Sequence, residues 1–292
     1  MKLGYPCINT NIGCTANSTF RLASYSKQRL LGTVQRNLDC LQKILEWNVE
    51  HGFLFFRIGS PLVPLASHPV CKVNWTAHFK QKFKRIGNYI KRNKIRVSMH
   101  PDQFTLINSI DLKILKKSIA ELAYHCKVLD ALGLDSSAKI QIHVGGVYGD
   151  KKKSMQRFIE HYKKLPAMIK KRLVIENDHV SYSLKDCLEI SRQTGIPVVF
   201  DAYHHECLNN GENFRNAVQQ AKKTWKKKDG KLMVDYSTGK KGKKGSHADH
   251  IEINGFRNFL KETKGIDFDI MLEIKDKEKS AIKALAEVKK LK

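Results

Sequence analysis

Nine side chains able to hold a divalent cation stand at or beyond the ends of short apolar runs: His68, His100, His143, Glu176, Asp201, His204, Asp235, His247 and Glu273. The clearest of these runs read RVSMHP, KIQIHVGG, RLVIEND, VVFDAYHH and IMLEIKD. A strand sends alternate side chains to opposite faces, so Ser98 and His100 share a face, as do Gln141 and His143, Val174 and Glu176, Val199 and Asp201, and Met271 and Glu273. If the strands are parallel, their carboxyl ends converge on one face, where α/β sheets build their active sites. The donors are all nitrogen and oxygen, which excludes a Cys-type structural zinc site and suits Zn²⁺ or Mn²⁺ without choosing between them. One ion could not use nine ligands, whereas three ions sharing a bridging carboxylate would. A lone histidine at a strand end is more often a hydrogen-bonded structural residue than a ligand. Gathered at one place, however, so many buried imidazoles and carboxylates would carry a heavy desolvation cost without cations.

Several divalent cations a few ångströms apart suit displacement at phosphorus, because they lower the pKa of a bound water and neutralise phosphate and leaving-group oxygens. Phosphodiester hydrolysis is therefore the favoured reaction. The charge agrees: 53 Lys+Arg against 28 Asp+Glu give a net +25 over 292 residues, a field suited to a polyanion. It concentrates in Lys151 to Lys153, Lys163 and Lys164, Lys170 to Arg172, Lys226 to Lys228 and Lys240 to Lys244. Each cluster alone would equally fit a solvated helix face.

The elements that must position these groups alternate regularly. Strand-like runs fall at Leu3 to Ile8, Phe53 to Ile58, Ile95 to His100, Lys139 to His143, Leu173 to Glu176, Pro197 to Asp201, Leu232 to Asp235 and Phe268 to Glu273. Between them, Leu38, Leu41, Leu45 and Val49 step by three or four, as do Leu112, Leu115, Ile119, Leu122, Cys126 and Leu129. Ser183 and Asp186 form a capping-box pair, and Gly195 is a helix stop before the next strand. Eight such units predict an α/β fold, a single (β/α)8 TIM barrel spanning residues 1–292, with a metal site at the C-terminal face of its strands. Two long segments after strands, Gly59 to Trp75 and Tyr236 to His250, would carry His68 and His247 to that face. The seven cysteines form no CxxC pair, so no disulfide framework is expected, and most should be small buried residues. No apolar run approaches a membrane span, so a soluble, intracellular, unsecreted protein with no membrane partner is expected.

LGYPCIN, TFRL, RIGSPLVPLASHP, SMHPDQF, IHVGG, IENDH, FDAYHH, DYS, SHADHI and MLEIKDKE occur in an order that closely resembles the UV damage endonuclease family, across nearly the whole chain. The resemblance implies a TIM barrel related to endonuclease IV, with a three-metal site. It further implies nicking of damaged double-stranded DNA immediately 5′ to cyclobutane pyrimidine dimers and 6-4 photoproducts, leaving a 3′ hydroxyl and a 5′ phosphate. On this reading His68, His100, His143, Glu176, Asp201, His204, His247 and Glu273 are ligands, Glu176 is the bridge, and Asp235 replaces a histidine common in the family. Catalysis falls to Glu176, Glu273, His143 and Asp201. Gln103 and Phe104 match the pair that probes the duplex opposite a lesion, where a ring can stack in a distorted step. Tyr5 and Asn9 match residues of the lesion pocket. Asn177 and Tyr203 adjoin ligands and are supporting candidates. Some members have a modified lysine where this chain has Met233; Lys231, on the same face, is a possible substitute. A monomer is expected.

Two other enzymes fit the scaffold, an abasic-site endonuclease and a divalent-metal sugar isomerase. The isomerase has no use for a cationic rim or for Gln103 and Phe104. A non-enzymatic basic protein that coats nucleic acid would need the charge but not the ordered ligands.

Overall fold

The computed structural model describes residues 1–290. Eight parallel strands close into a barrel: β1 (Leu3–Pro6), β2 (Phe55–Ile58), β3 (Arg96–Met99), β4 (Lys139–His143), β5 (Leu173–Glu176), β6 (Val198–Asp201), β7 (Leu232–Tyr236) and β10 (Phe268–Leu272). They pair in chain order from β2 to β7, and β10 inserts between β7 and β1 to complete the ring. The remaining two strands, β8 (Gly239–Lys240) and β9 (Lys243–His247), form an antiparallel hairpin within the segment after β7.

Register determines which side chains enter the barrel. Phe55, Val174, Val199, Met233 and Met271 form a small apolar cluster of their own inside it, separate from the large core between the strands and the surrounding helices. Two residues further along each strand, the same inward face presents Arg57, Glu176, Asp201, Asp235 and Glu273. The opposite end of the barrel is closed by the buried ion pairs Arg96–Asp269, at 2.8 Å, and Lys139–Asp229, at 2.6 Å. Polar residues thus occupy both ends of the interior, with an apolar plug between them.

The helices follow the predicted periodicity. Leu38, Leu41 and Leu45 lie on the buried face of Lys27–Glu50, and Leu122, Cys126 and Leu129 on that of Leu112–Ala131. The helix Leu184–Thr194 carries the capping box between Ser183 and Asp186 and ends at Gly195, whose φ of 74° is the left-handed conformation that glycine adopts without strain.

Two expectations are corrected. Cys14 and Cys40 are joined in a disulfide that ties the segment after β1 to the helix Lys27–Glu50; their 26-residue separation matches no short motif. Cys126 and Cys187 are free and buried, but Cys7, Cys71 and Cys207 are free and only half-buried, so most of the cysteines are not buried, contrary to expectation. The cationic clusters also divide. Lys163, Lys164, Lys170 and Lys171 precede β5, and Lys226 to Lys228 precede β7, so these clusters lie towards the strands' amino ends. Arg172 belongs to no solvated face at all: it is buried and donates to Asp130 at 2.6 Å. The clusters on segments that follow strands are Lys151 to Lys153 and the exposed Lys240 to Lys244 of the hairpin. Among the described residues no helix is long and apolar enough to cross a membrane.

Candidate metal centre

At the carboxyl ends of β3 to β7 and β10, seven of the nine predicted ligands fall into three groups whose donor atoms lie within 4.8 Å of one another. The groups are His100, His143 and Glu176; Glu176, Asp201 and His204; and Asp201, Asp235 and Glu273. Glu176 is common to the first two and Asp201 to the last two, so the three run together across the mouth. Glu176 sits at the centre of the imidazoles: its Oε2 is 3.3 Å from His100 Nε2 and 3.9 Å from His143 Nε2, and its Oε1 is 3.2 Å from His204 Nδ1.

The protonation pattern follows from this crowding. Burial alone would lower the His204 pKa, but Asp201 and Glu176 raise it to about 11, so without metal the ring shares protons with the carboxyl groups beside it. Burial pushes the Asp201 carboxyl well above its usual range, and only His204 opposes it against its carboxylate neighbours. Burial also lowers the pKa of His143 and of His247, leaving both rings neutral with lone pairs free for a cation. His143 Nδ1, His247 Nδ1 and Asp201 Oδ2 are buried and have no hydrogen-bond partner. Orphaned donors and acceptors are costly. Divalent cations fit the first two groups, because binding would displace the His204 proton and satisfy Asp201 Oδ2, otherwise unpaired.

Neighbouring residues fix these positions. Asn177 donates to the Asp201 carbonyl at 2.9 Å and accepts from the Asp201 N–H at 3.0 Å, while its own carbonyl lies 3.0 Å from His204 Nδ1. Asp201 Oδ1 accepts from the His204 N–H at 2.7 Å, which caps the helix Ala202–Cys207. Tyr203 accepts from the Gly245 N–H at 3.0 Å and so holds the β8–β9 hairpin. That hairpin brings His247 Nε2 to 3.7 Å from Glu273 Oε2. His179, not singled out in the sequence, packs its ring 5.2 Å from that of His204; its place in IENDH, three residues beyond Glu176, was the available signal.

The third group differs because Arg57, also unforeseen, already occupies it. Its Nη2 donates to Asp235 Oδ2 at 2.7 Å, to Asp235 Oδ1 at 3.0 Å and to Gln141 Oε1 at 2.9 Å, and its Nη1 pairs with Glu273. Gln141 donates in turn to Asp235 Oδ2 at 2.6 Å. Burial raises the Asp235 pKa and Arg57 opposes it, leaving it at about 7, whereas at Glu273 burial is again the largest effect but Arg57, His247 and His100 together overcome it and bring the carboxyl to about 2.

Other predicted residues stand apart. His68 is exposed, accepts from the Val70 N–H at 3.1 Å and joins none of the three groups. Tyr5 points away from the barrel interior. A side chain at Gly4 would meet the Phe55 carbonyl at 1.8 Å, so glycine takes the inward position and Tyr5 the outward one beside Phe56. There Tyr5 is fully buried against Phe53 and Phe56, donating to Asn48 and accepting from Asn9 Nδ2 at 2.7 Å. Tyr5 and the buried Asn9 thus tie β1 to the helix layer. Lys231 lies four residues before Asp235, roughly 13 Å along the strand, and pairs with Asp267 at 2.8 Å. It is at the wrong end of the barrel for a ligand. By contrast, Gln103 is exposed, and Phe104 is 73% exposed on the loop that follows His100, which removes core packing as its explanation.

The model of the UV-endonuclease UvdE family matches residues 1–292. The chain belongs to the UV-endonuclease UvdE family. Among the relatives of this UvdE member, the UV DNA damage endonuclease of Clostridium perfringens is 45% identical over all of this chain and 71% of its own length. The enzyme of the same name from Bacillus cereus is 35% identical over 94% of this chain and 90% of its own. The crystal structure of SacUVDE superposes with a TM-score of 0.95 at 48% identity, covering 100% of this chain and 99% of that one. Endonuclease IV from Thermus thermophilus shares the fold, with a TM-score of 0.57 at 14% identity over 86% of this chain and 93% of its own.

Proposed function

We propose that this UvdE chain nicks duplex DNA immediately 5′ to UV photoproducts, both cyclobutane pyrimidine dimers and 6-4 photoproducts, by metal-dependent phosphodiester hydrolysis that leaves a 3′ hydroxyl and a 5′ phosphate. The observation that carries this reading is the pair of His/carboxylate groups sharing Glu176, on a barrel whose next loop exposes Gln103 and Phe104. Divalent cations, with Mn²⁺ favoured over Zn²⁺, would when bound supply a water of lowered pKa and charge neutralisation at the phosphate. His100, His143, Glu176, Asp201 and His204 would hold them, with His247 and Glu273 beside them at the rim.

The protein's own groups supply the rest. His143 and His247, neutral through burial, offer lone pairs without first losing a proton. Asn177 fixes Asp201 and His204 through both backbone groups of Asp201, so these donors need not reorganise when substrate arrives. The exposed lysines from 240 to 244, with Lys152 and Lys153, would track the phosphate backbone on two sides of the mouth. Phe104 would stack where the damaged dinucleotide leaves the helix, while Gln103 would hydrogen-bond the exposed base edge opposite. A photodimer stacks and pairs poorly, so flipping it costs less than flipping an intact step, and selectivity follows from that difference.

The test is incision by the Mn²⁺-loaded chain of two matched duplexes, one with a single photodimer and one with an abasic analogue. A single nick 5′ to the photodimer, with an end that a polymerase extends directly, is the expected result. Cutting confined to the abasic duplex would overturn the proposal.

A further inference from the structure

Among the described residues, Arg57 is the one arginine or lysine whose side chain pairs with the carboxylates of the barrel mouth. It is 3% exposed, and its guanidinium engages both oxygens of Asp235, the Glu273 carboxylate and the Gln141 amide oxygen. Asp235 Oδ2 additionally accepts from Gln141, so the carboxylate is satisfied from within the protein. The second group differs: Asp201 Oδ2, which it shares with the third, is buried without a hydrogen-bond partner, and no arginine or lysine pairs with Glu176 or Asp201 among the described residues.

We infer that the Arg57 guanidinium takes the place of a third divalent cation, so that this chain holds two metal ions rather than three. The inference rests on the metal-dependent reading above and deepens it. Charge and geometry agree. Glu176, Asp201, Asp235 and Glu273 bring four negative charges to the mouth, and Arg57 cancels one of them permanently, because a guanidinium does not lose its proton in a protein. Two divalent cations leave the site one charge positive, which a single phosphodiester or hydroxide neutralises. A third leaves it three charges positive in a buried setting, with the newcomer directly against the guanidinium. A third ion would also have to displace the charge-assisted hydrogen bonds that Arg57 Nη2 donates to both Asp235 oxygens and that Nη1 donates to Glu273. Asp235 is thus the anchor of Arg57, and Gln141, which also donates to Glu176, links that anchor to the imidazole-rich groups. Arg57 is a positioning residue: through Glu273 it orients a carboxylate at the rim while keeping positive charge near the phosphate's path.

Metal stoichiometry tests this without any assay of nicking. The full chain is loaded with Mn²⁺, freed of excess by gel filtration, and its manganese counted by mass spectrometry, with the wild type compared to Arg57→Gln and Asp235→Asn. Two ions per wild-type chain are expected, two in Asp235→Asn, and three in Arg57→Gln, where Asp235 and Glu273 become available. Three ions in the wild type, a loss of one in Asp235→Asn, or no gain in a folded Arg57→Gln would each overturn the inference. If Arg57→Gln does not fold, the other two counts decide. A wild-type count of zero would defeat the metal-dependent reading itself, a different failure from a count of three.

Discussion

Replacing Phe104 with alanine separates recognition of damage from stability. The ring is 73% exposed, and its backbone N–H is fixed by Asp102 Oδ1 at 2.9 Å, so truncation leaves the loop's path and the core intact. Stability should therefore change by no more than about 0.5 kcal/mol, the usual range for surface positions. In the complex the ring stacks on bases or fills a vacated step, an interaction worth about 1–3 kcal/mol. That energy is realised only where a dinucleotide has left the helix, so kcat/KM on a photodimer duplex should fall about 5- to 150-fold. Binding to intact DNA, carried by lysines and phosphates, should change by less than about twofold. Thermal unfolding, incision kinetics and competition binding on matched duplexes give the three numbers, and Phe104→Trp, which keeps a stacking surface, should retain most of the activity. Equal losses on damaged and intact DNA, or a large drop in Tm, would refute the wedge role.

Three further outcomes follow from the geometry. Saturating Mn²⁺ at a hundred times its Kd should stabilise the chain by about 2.7 kcal/mol for each ion, raising Tm by roughly 4 °C per ion at this chain length; calorimetry on chelated and reloaded protein measures it, and no difference would contradict a metal centre. Burial lowers the pKa of His125, with its backbone hydrogen bond to Glu121 opposing and His100 adding, to about 4. Its folded pKa lies below its unfolded value, so the unfolded chain binds more protons, and stability that is complete above about pH 6.5 is lost progressively towards pH 4, by roughly 3 kcal/mol; urea titrations across that window should show a smaller loss in His125→Gln. Gly245 has φ of +77°, and a Cβ there would lie 2.2 Å from His179, so Gly245→Ala should displace the hairpin that carries His247. Nicking should fall roughly tenfold or more with global unfolding little changed, and unaltered incision would show that the hairpin's position is immaterial.

Period-two alternation made most of the barrel and the centre legible in advance. His100, Glu176, Asp201 and Glu273 each follow an inward residue by two positions, and the fold preserves that phase. Arg57 obeys the same rule, two residues after the inward Phe55, yet a lone arginine in FFRI has no sequence feature to distinguish it from one at a strand edge. Its meaning depends on Asp235 and Glu273, 178 and 216 residues away, coming within reach. The outward direction of Tyr5 was not legible, because the pattern gives no phase for so short a strand. Contact between Gly4 and the Phe55 backbone sets it. The hairpin was read as loop, since lysine and glycine have low strand propensity and the pairing depends on Tyr203 holding Gly245. The expected absence of a disulfide framework failed at Cys14 and Cys40, whose meeting depends on how the segment after β1 wraps onto the following helix.

The order of the strands has a consequence for the cell that makes this protein. The ring is completed by β10, the last strand in the chain, which sits between β1 and β7 and leads directly into Glu273. Until the ribosome has released that segment, the sheet has an open seam and the mouth lacks one of its carboxylates. A nascent polypeptide that has not yet passed Glu273 is consequently without a finished cutting centre.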